Sequence, residues 1–188
     1  HTDARQLLEW IGATWLLRIE DRRGFRERSR RQMVIGDDHI DTTLVVDHAV
    51  PACQSRELFK GVLDGRARGV FQGKAVVRPG AQKTDGKQMA QALMLSEDAE
   101  FDSKPELEIH ADDVVCGHGS TCAEIDPDML FYLQSRGIPK DEARAMLIES
   151  FVAEAIDKIE DENIRGALMG IARRWLAGGG ERDLVMGA

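Results

Sequence analysis

A succession of short apolar runs between Gln32 and Ile125 constrains the fold of this chain more than any other feature. Each run has the length of a strand and is followed by a turn signal such as Asp-Gly, Pro-Gly or Gly-Lys, and no helical period is sustained between them. The pattern indicates a β-sandwich, a β-barrel or a parallel β-solenoid. The runs are MVIG, TTLVVDH, RELFKGVLDG, RGVFQGKAVVRPG, QALMLSEDA and ELEIHADDVVCG.

The ends of these runs favour the solenoid. Segments such as LVVDH and LEIHADD place polar residues directly after a short apolar core, which suits flat faces joined by corner turns. Asn-Gly dipeptides, a common sign of antiparallel hairpins, are absent. We therefore predict a mainly β protein whose core, residues 32–125, is a parallel β-helix.

Helical signals begin after Ile125. Asp126 followed by Pro127 is a typical helix start, and that helix is expected to end at Gly137. A second helix is expected from Pro139, and a third over ENIRGALMGIARRWLAGGG. We predict a small C-terminal helical subdomain over 126–180, which must pack on the β body or on a partner. The apolar stripe of the second helix comprises Ile148, Phe151, Val152, Ala155, Ile156 and Ile159.

The first 31 residues are treated as an N-terminal fragment of undetermined fold, 1–31, whose continuity with the core the sequence does not establish. Within it, Thr2 to Arg18 suits either a strand or a helix. Because the chain begins with His1 rather than Met, we expect it to be part of a longer protein.

Charge and cysteine content exclude several classes. A net charge of −8 over 188 residues argues against nucleic-acid binding, which needs clustered Lys and Arg. No apolar run is long enough for a membrane span or a signal peptide. Three cysteines, an odd number, do not suggest a disulfide framework, and free thiols fit a reducing, cytoplasmic location.

The segment Cys116-Gly117-His118-Gly119 is the strongest candidate for chemistry. A thiolate and an imidazole both bind iron, zinc or copper. They provide only two ligands, however, and they share one face only if the backbone is extended. A metal half-site and a tight turn with a buried cysteine both remain open. Cys53 and Cys122 stand alone and are expected to be small core residues.

Other residues suggest weaker sites. Asp47 and His48 could serve acid–base chemistry, but neighbours in a strand face opposite ways, which favours a corner-turn role. No G-x-S-x-G or H-E-x-x-H motif is present. The sequence therefore shows no self-sufficient active site.

Two long segments resemble a known family. One runs from LVVDHAVPACQSRELFKG to RPGAQKTD, and the other from LMLSEDAEFDSKPELEIHADDVVCGHGSTCAEIDPDMLFYLQSRG to IPKDEARAML. Together they are similar to the C-terminal half of SufB/SufD family proteins, the scaffolds of iron–sulfur cluster assembly in the SUF system. The ADDVVCGHG block has the form found in the SufD branch.

The resemblance implies a right-handed parallel β-helix followed by a helical subdomain, and a non-catalytic scaffold role in a SufBCD complex that acquires iron and assembles clusters. It also implies a SufB-like paralogue or a SufD-like second copy as the strand-pairing partner, and a SufC-like ATPase as the partner of the helices. His118, with Cys116 as neighbour, would bind iron or a nascent cluster shared with a partner subunit. The residues expected to contact the ATPase are Leu130, Phe131, Leu133, Met146, Leu147 and Phe151.

An enzyme is the alternative. A β-solenoid enzyme acting on a carbohydrate or acyl substrate could use Asp112, Asp113 and His118 as its acid–base set. Adjacent aspartates on an extended strand cannot both face one substrate, however. The scaffold hypothesis is therefore preferred.

Overall fold

The computed structural model describes the backbone of residues 14–19 and 28–34 and all of residues 39–176. Eight strands are followed by three helices in this part of the chain. The strands are β1 (Thr14–Ile19), β2 (Arg28–Val34), β3 (His39–His48), β4 (Gln54–Leu63), β5 (Arg68–Val77), β6 (Asp85–Met94), β7 (Glu100–Ile109) and β8 (Val115–Glu124). The helices are α1 (Pro127–Ser135), α2 (Lys140–Ile156) and α3 (Glu162–Leu176).

Consecutive strands alternate between two parallel sheets. One sheet has the order β1-β3-β5-β7 and the other β2-β4-β6-β8. His39 pairs with Arg68, and Arg68 pairs with Glu100, so each coil advances the chain by about 30 residues, within the usual range of solenoid repeats. The architecture is a parallel β-helix with a small C-terminal helical part, as the turn chemistry predicted.

The strands β1 and β2 lie partly or wholly before residue 32, where we placed the start of the core. Both pair in parallel with the next strand of their own sheet, so the two sheets extend to the N-terminal side of that boundary. Thr14–Ile19 is a strand, whereas residues 2–13 lie outside the described part. The division into 1–31, 32–125 and 126–180 stays a prediction.

The interior of the β-helix is filled by every second residue of each strand. In β4 and β5 these include Phe59 and Phe71, whose rings stack with centroids 4.5 Å apart. Other interior side chains are fully buried, among them Val46, Val77 and Ala90. Polar side chains face the solvent from the alternate positions, for example Lys74 in β5, which forms an ion pair with Glu108.

The corners stack as regularly as the strands. Ala52 donates its backbone N–H to Gln82, and Lys83, one coil later, donates to Asp113. Both donors have left-handed φ values, 60° and 63°. The same corner conformation therefore recurs, which keeps successive strands in register.

Local capping signals determine the helices. Asp126 caps α1 by accepting from the N–H groups of Asp128 and Met129, and Gly137, with φ of 85°, follows its end. Pro139 precedes α2. The predicted helix starts and the first helix end are confirmed.

The helices α2 and α3 pack on the outer face of the second sheet. Ile148, Val152 and Ile156 form one apolar cluster with Val62 and Leu93. Beside it the ammonium of Lys60, only 2% exposed, forms an ion pair with Glu154 and lies 4.1 Å from the centre of the Phe151 ring. This paired buried charge joins α2 to β4. No helix in the described part of the chain is long and apolar enough to cross a membrane.

Candidate functional site

The segment around Cys116 is a strand and not a turn. Cys116 to Cys122 belongs to β8, which pairs in parallel with β6. A Cβ built on Gly119 would lie 2.8 Å from Met89 Cε, and one on Gly117 would lie 3.7 Å from Lys87 Nζ. Since Lys87 and Met89 face outward, the alternate residues Cys116 and His118 face the interior side together. The extended backbone that a metal half-site of Cys116 and His118 requires is therefore present.

Among the described strands, β8 is the last of its sheet, so no described strand covers the interior side of this coil. His118 is exposed, and Cys116 is half-buried against Val77, Ala81 and Ala111. Among the described residues, no cluster of three or more His, Cys, Asp or Glu side chains could hold a metal ion. The pair is therefore reachable from outside but incomplete as a ligand set.

The acid–base set suggested for an enzyme is not gathered around His118. Asp112 and Asp113 lie in the corner between β7 and β8. The Asp113 carboxylate forms an ion pair with Lys83, and its backbone N–H donates to Gln82 Oε1 at 2.9 Å. These contacts give Asp113 a structural role in the corner.

Two buried polar residues, Gln88 and Glu57, occupy the positions equivalent to His118 in the two preceding strands of this sheet, and they form a line with it. His118 pairs in register with Gln88, and Gln88 with Glu57. Gln88 Nε2 donates to Glu57 Oε2 at 3.4 Å. Burial raises the pKa of Glu57, although hydrogen bonds from Ser55 and Gln88 oppose the shift. No sequence pattern predicted this line, because the apolar Leu58 obscures the alternation of Ser55, Glu57 and Phe59.

Asp47 and His48 face opposite sides of β3, as strand geometry predicts. Asp47 pairs with Arg78 on the outer face, whereas His48 is fully buried and its Nε2 lies 3.1 Å from Ser55 Oγ. Burial lowers the pKa of His48, and the nearby Asp47 charge only partly offsets this. The neutral imidazole is thus the favoured form in the interior.

Most of the β-helix, including its last strand, matches a known protein family. The family model described as SUF system FeS cluster assembly, SufBD core domain, matches residues 23–151, more than half of the 188 residues. The chain belongs to the SufB/SufD family. The match spans β2 to β8, including Cys116 and His118, and reaches into α2.

Curated relatives carry the same family name. The iron-sulfur cluster assembly protein SufD of Escherichia coli (strain K12) is 38% identical over 147 residues, covering 78% of this chain and 35% of that protein. The protein of that name from Bacillus subtilis (strain 168) is 34% identical over 139 residues, covering 74% and 32%. A SufBD family protein of Synechocystis is 38% identical over 134 residues, covering 71% and 29%. The chain spans about a third of the length of these relatives.

The helical residues predicted to contact a partner differ in exposure within this SufB/SufD family chain. Phe131 is 72% exposed and Met146 is 45% exposed. Phe151 is half-buried and packs against the apolar cluster on the second sheet. The remaining three, Leu130, Leu133 and Leu147, are half-buried. Partner contact by these residues stays a prediction.

The two other cysteines have different environments. Cys53 is a core residue, fully buried, with its thiol donating to the Val50 carbonyl at 3.0 Å. The prediction that Cys122 is also a core residue is wrong, because it lies exposed in the last strand, where no further coil of the described chain covers it. Period-two alternation of Cys116, His118, Ser120 and Cys122 was the available signal for this strand.

Proposed function

We propose that this chain is a SufD-like, non-catalytic scaffold subunit of a SufBCD complex in iron–sulfur cluster assembly. The observation that carries the proposal is the position of Cys116 and His118 on one face of the last described strand. His118 is exposed, Cys116 is half-buried, and together they provide too few ligands to bind a metal alone. Iron or a nascent cluster, the cargo of the complex, would take its remaining ligands from a partner subunit.

The edge of the β-helix supports the choice of partner. Within the described chain, β7 and β8 each pair on one side only, which leaves backbone N–H and C=O groups free to pair with another strand. A SufB-like paralogue, or a second copy of this chain, would extend the sheets there. Such pairing would bring a partner's side chains next to His118.

The helices support a second contact. On α1 and α2 the exposed apolar residues are Met129, Phe131, Tyr132 and Met146. None of the four belongs to the apolar cluster that fixes α2 and α3 to the sheet. Exposed aromatic and Met side chains are typical of protein contacts. We assign this surface to a SufC-like ATPase, whose nucleotide-driven motion the subunit would transmit in the cytoplasm.

Co-expression tests this function. The chain is produced with the SufB-like and SufC-like proteins of its source organism and separated by size under anaerobic conditions, and iron and sulfide are measured in each peak. We expect the three proteins to co-elute with iron, and the iron to fall in His118→Ala. His110→Ala is the matched control, since His110 is also exposed but pairs with Glu108 at a corner.

Two results would contradict the proposal. Elution of the chain away from both other proteins would remove the scaffold role. An equal loss of iron in the His118 and His110 variants would remove the metal-binding role of β8.

A further inference from the structure

Three reactive side chains surround the position of Gly86 inside the β-helix. Gly86 in β6 pairs in register with Ser55 on one side and Cys116 on the other. A Cβ built on Gly86 would lie 3.4 Å from Ser55 Oγ, 3.5 Å from Cys116 Sγ and 3.5 Å from His48 Nε2. A hydroxyl, a thiol and an imidazole, from both sheets, therefore converge on one point.

The backbone of Gly86 does not require a glycine. Gly86 lies within a regular strand and does not have the left-handed φ seen at Gly65 and Gly137. Its contacts with an added Cβ would be ordinary van der Waals distances. What the glycine provides is empty space between the three side chains.

The surroundings of this space are buried and incompletely paired. His48 is fully buried and Ser55 is 1% exposed. Nε2 of His48 shares a hydrogen bond with Ser55, but its Nδ1 is buried without a partner. Buried polar atoms are normally satisfied, so His48 is an incompletely paired side chain beside this space, and Nε2 is the ring atom that faces Gly86.

We propose that Cys116 Sγ, His48 Nε2 and Ser55 Oγ form an inner site for one soft or borderline metal ion of the Zn(II) or Cu(I) kind. Thiolate and imidazole are the protein ligands that such ions share, and the hydroxyl oxygen of Ser55 would be a weaker third ligand. The three atoms lie 3.4–3.5 Å from the Cβ position, so metal–ligand distances of about 2.0–2.3 Å require each side chain to move inward by roughly 1.2–1.5 Å. This site is distinct from the outer pair because it does not use His118.

The shared thiol connects the two sites. Cys116 lies between His48 and the open end of the interior, where His118 is exposed. The two proposed sites would therefore use one thiolate. The inner site uses only residues of this chain, so it does not depend on a partner or on the proposed scaffold role.

The test uses Co(II) as the probe, because Co(II) bound to a thiolate gives a charge-transfer absorption that hydrated Co(II) lacks. The 188-residue chain is titrated anaerobically in a His118→Ala, Cys122→Ser background, which removes the outer imidazole and the exposed thiol. We expect one equivalent of Co(II) to bind with a thiolate band. In the same background, Gly86→Ala should weaken that binding at least tenfold although every ligand is still present.

Gly61→Ala is the matched control. Gly61 is a buried strand glycine, and an added Cβ there meets no atom within 4 Å. This substitution should leave Co(II) binding unchanged. Circular dichroism checks that both variants fold, and if Gly86→Ala does not, His48→Gln replaces it with the same expected loss.

Three results would overturn the inner site: absence of the thiolate band in the His118→Ala background, equal binding by the Gly86 and Gly61 variants, or an unchanged band in His48→Gln. Co-elution with partners is not measured, so failure here leaves the scaffold proposal standing, and failure of the scaffold proposal leaves this result unaffected.

Discussion

The inner coils and the last coil of this β-helix share one backbone geometry but differ in what lies at equivalent interior positions. In register, Phe71 pairs with Ser103, and Ala92 pairs with Cys122. Phe71 and Ala92 are buried, whereas Ser103 is half-buried and Cys122 is exposed. At these two positions the side chain of the inner coil is apolar and buried, whereas its counterpart in the last coil is more exposed.

The difference follows from what covers each coil. A side chain inside an inner coil is enclosed by the coils before and after it, so burial favours apolar residues there. The last coil has a neighbour on one side only within the described chain, and α2 packs on the outer face near Val62, not over this end. Polar and metal-binding side chains can therefore be carried there at little cost in stability.

The largest expected effect is in the inner coils. Phe71→Ala removes a fully buried ring that stacks on Phe59 and should lower the free energy of unfolding by about 3–5 kcal/mol. Phe101→Ala, in the last coil and half-buried, is the control and should cost clearly less. Urea unfolding of both variants measures the difference, and equal losses would mean that the last coil is as tightly packed as the others.

The substitution Glu57→Gln is expected to change the free energy of unfolding less, and to raise it at neutral pH. Burial raises the pKa of Glu57 from its ordinary value of 4.5, so the folded protein holds this proton more tightly than the unfolded chain. The contribution of Glu57 to stability is full below pH 4.5 and is lost as the pH rises through the folded pKa. Glu57→Gln should therefore stabilise the protein at pH 7.5 by about 1 kcal/mol and have little effect near pH 4.

A new hydrogen bond is a second reason why Glu57→Gln should stabilise the protein. Gln88 Oε1 is buried without a partner and could accept from the new amide. Unfolding in urea at the two pH values gives the measurement, with the exposed Glu124→Gln as control. The lowered pKa of His48 weakens the fold as the pH falls below 6.5, but it does so equally in both proteins. A stabilisation of equal size at both pH values would exclude a charged, buried Glu57.

The sequence predicted those features of the fold that depend on neighbouring residues. The start of α1 depends on Asp126 and Pro127, and its end on Gly137, all adjacent in sequence, so these features were predicted correctly. Strand lengths and corner turns were equally local and indicated the solenoid. The strand β7 was harder to recognise, because EFDSKPELEI contains Lys104 and Pro105; a proline is tolerated there because β7 is the last strand of its sheet.

The site depends on register, which no local pattern reveals. Cys116 and His118 were identified as candidates, but their common face required β8 to be a strand, and the glycines favoured a turn equally well. The proximity of His48 to Cys116 depends on how many residues each corner contains, since one change of register would turn His48 outward. Side chains from three strands therefore meet at Gly86 without any motif that joins them.

The smallest expected effect on stability is at His118. His118→Ala should change the free energy of unfolding by no more than about 0.5 kcal/mol, the usual range for exposed positions, because its imidazole is exposed in the last coil. His48→Ala removes a fully buried imidazole and the hydrogen bond that it shares with Ser55, which should cost about 1–3 kcal/mol. Thermal and urea unfolding of the two variants compare the same residue type in an open and in an enclosed coil. If His118→Ala were as destabilising as His48→Ala, the imidazole of the last coil would be part of the packing, and the separation between a structural interior and a ligand-bearing end would fail.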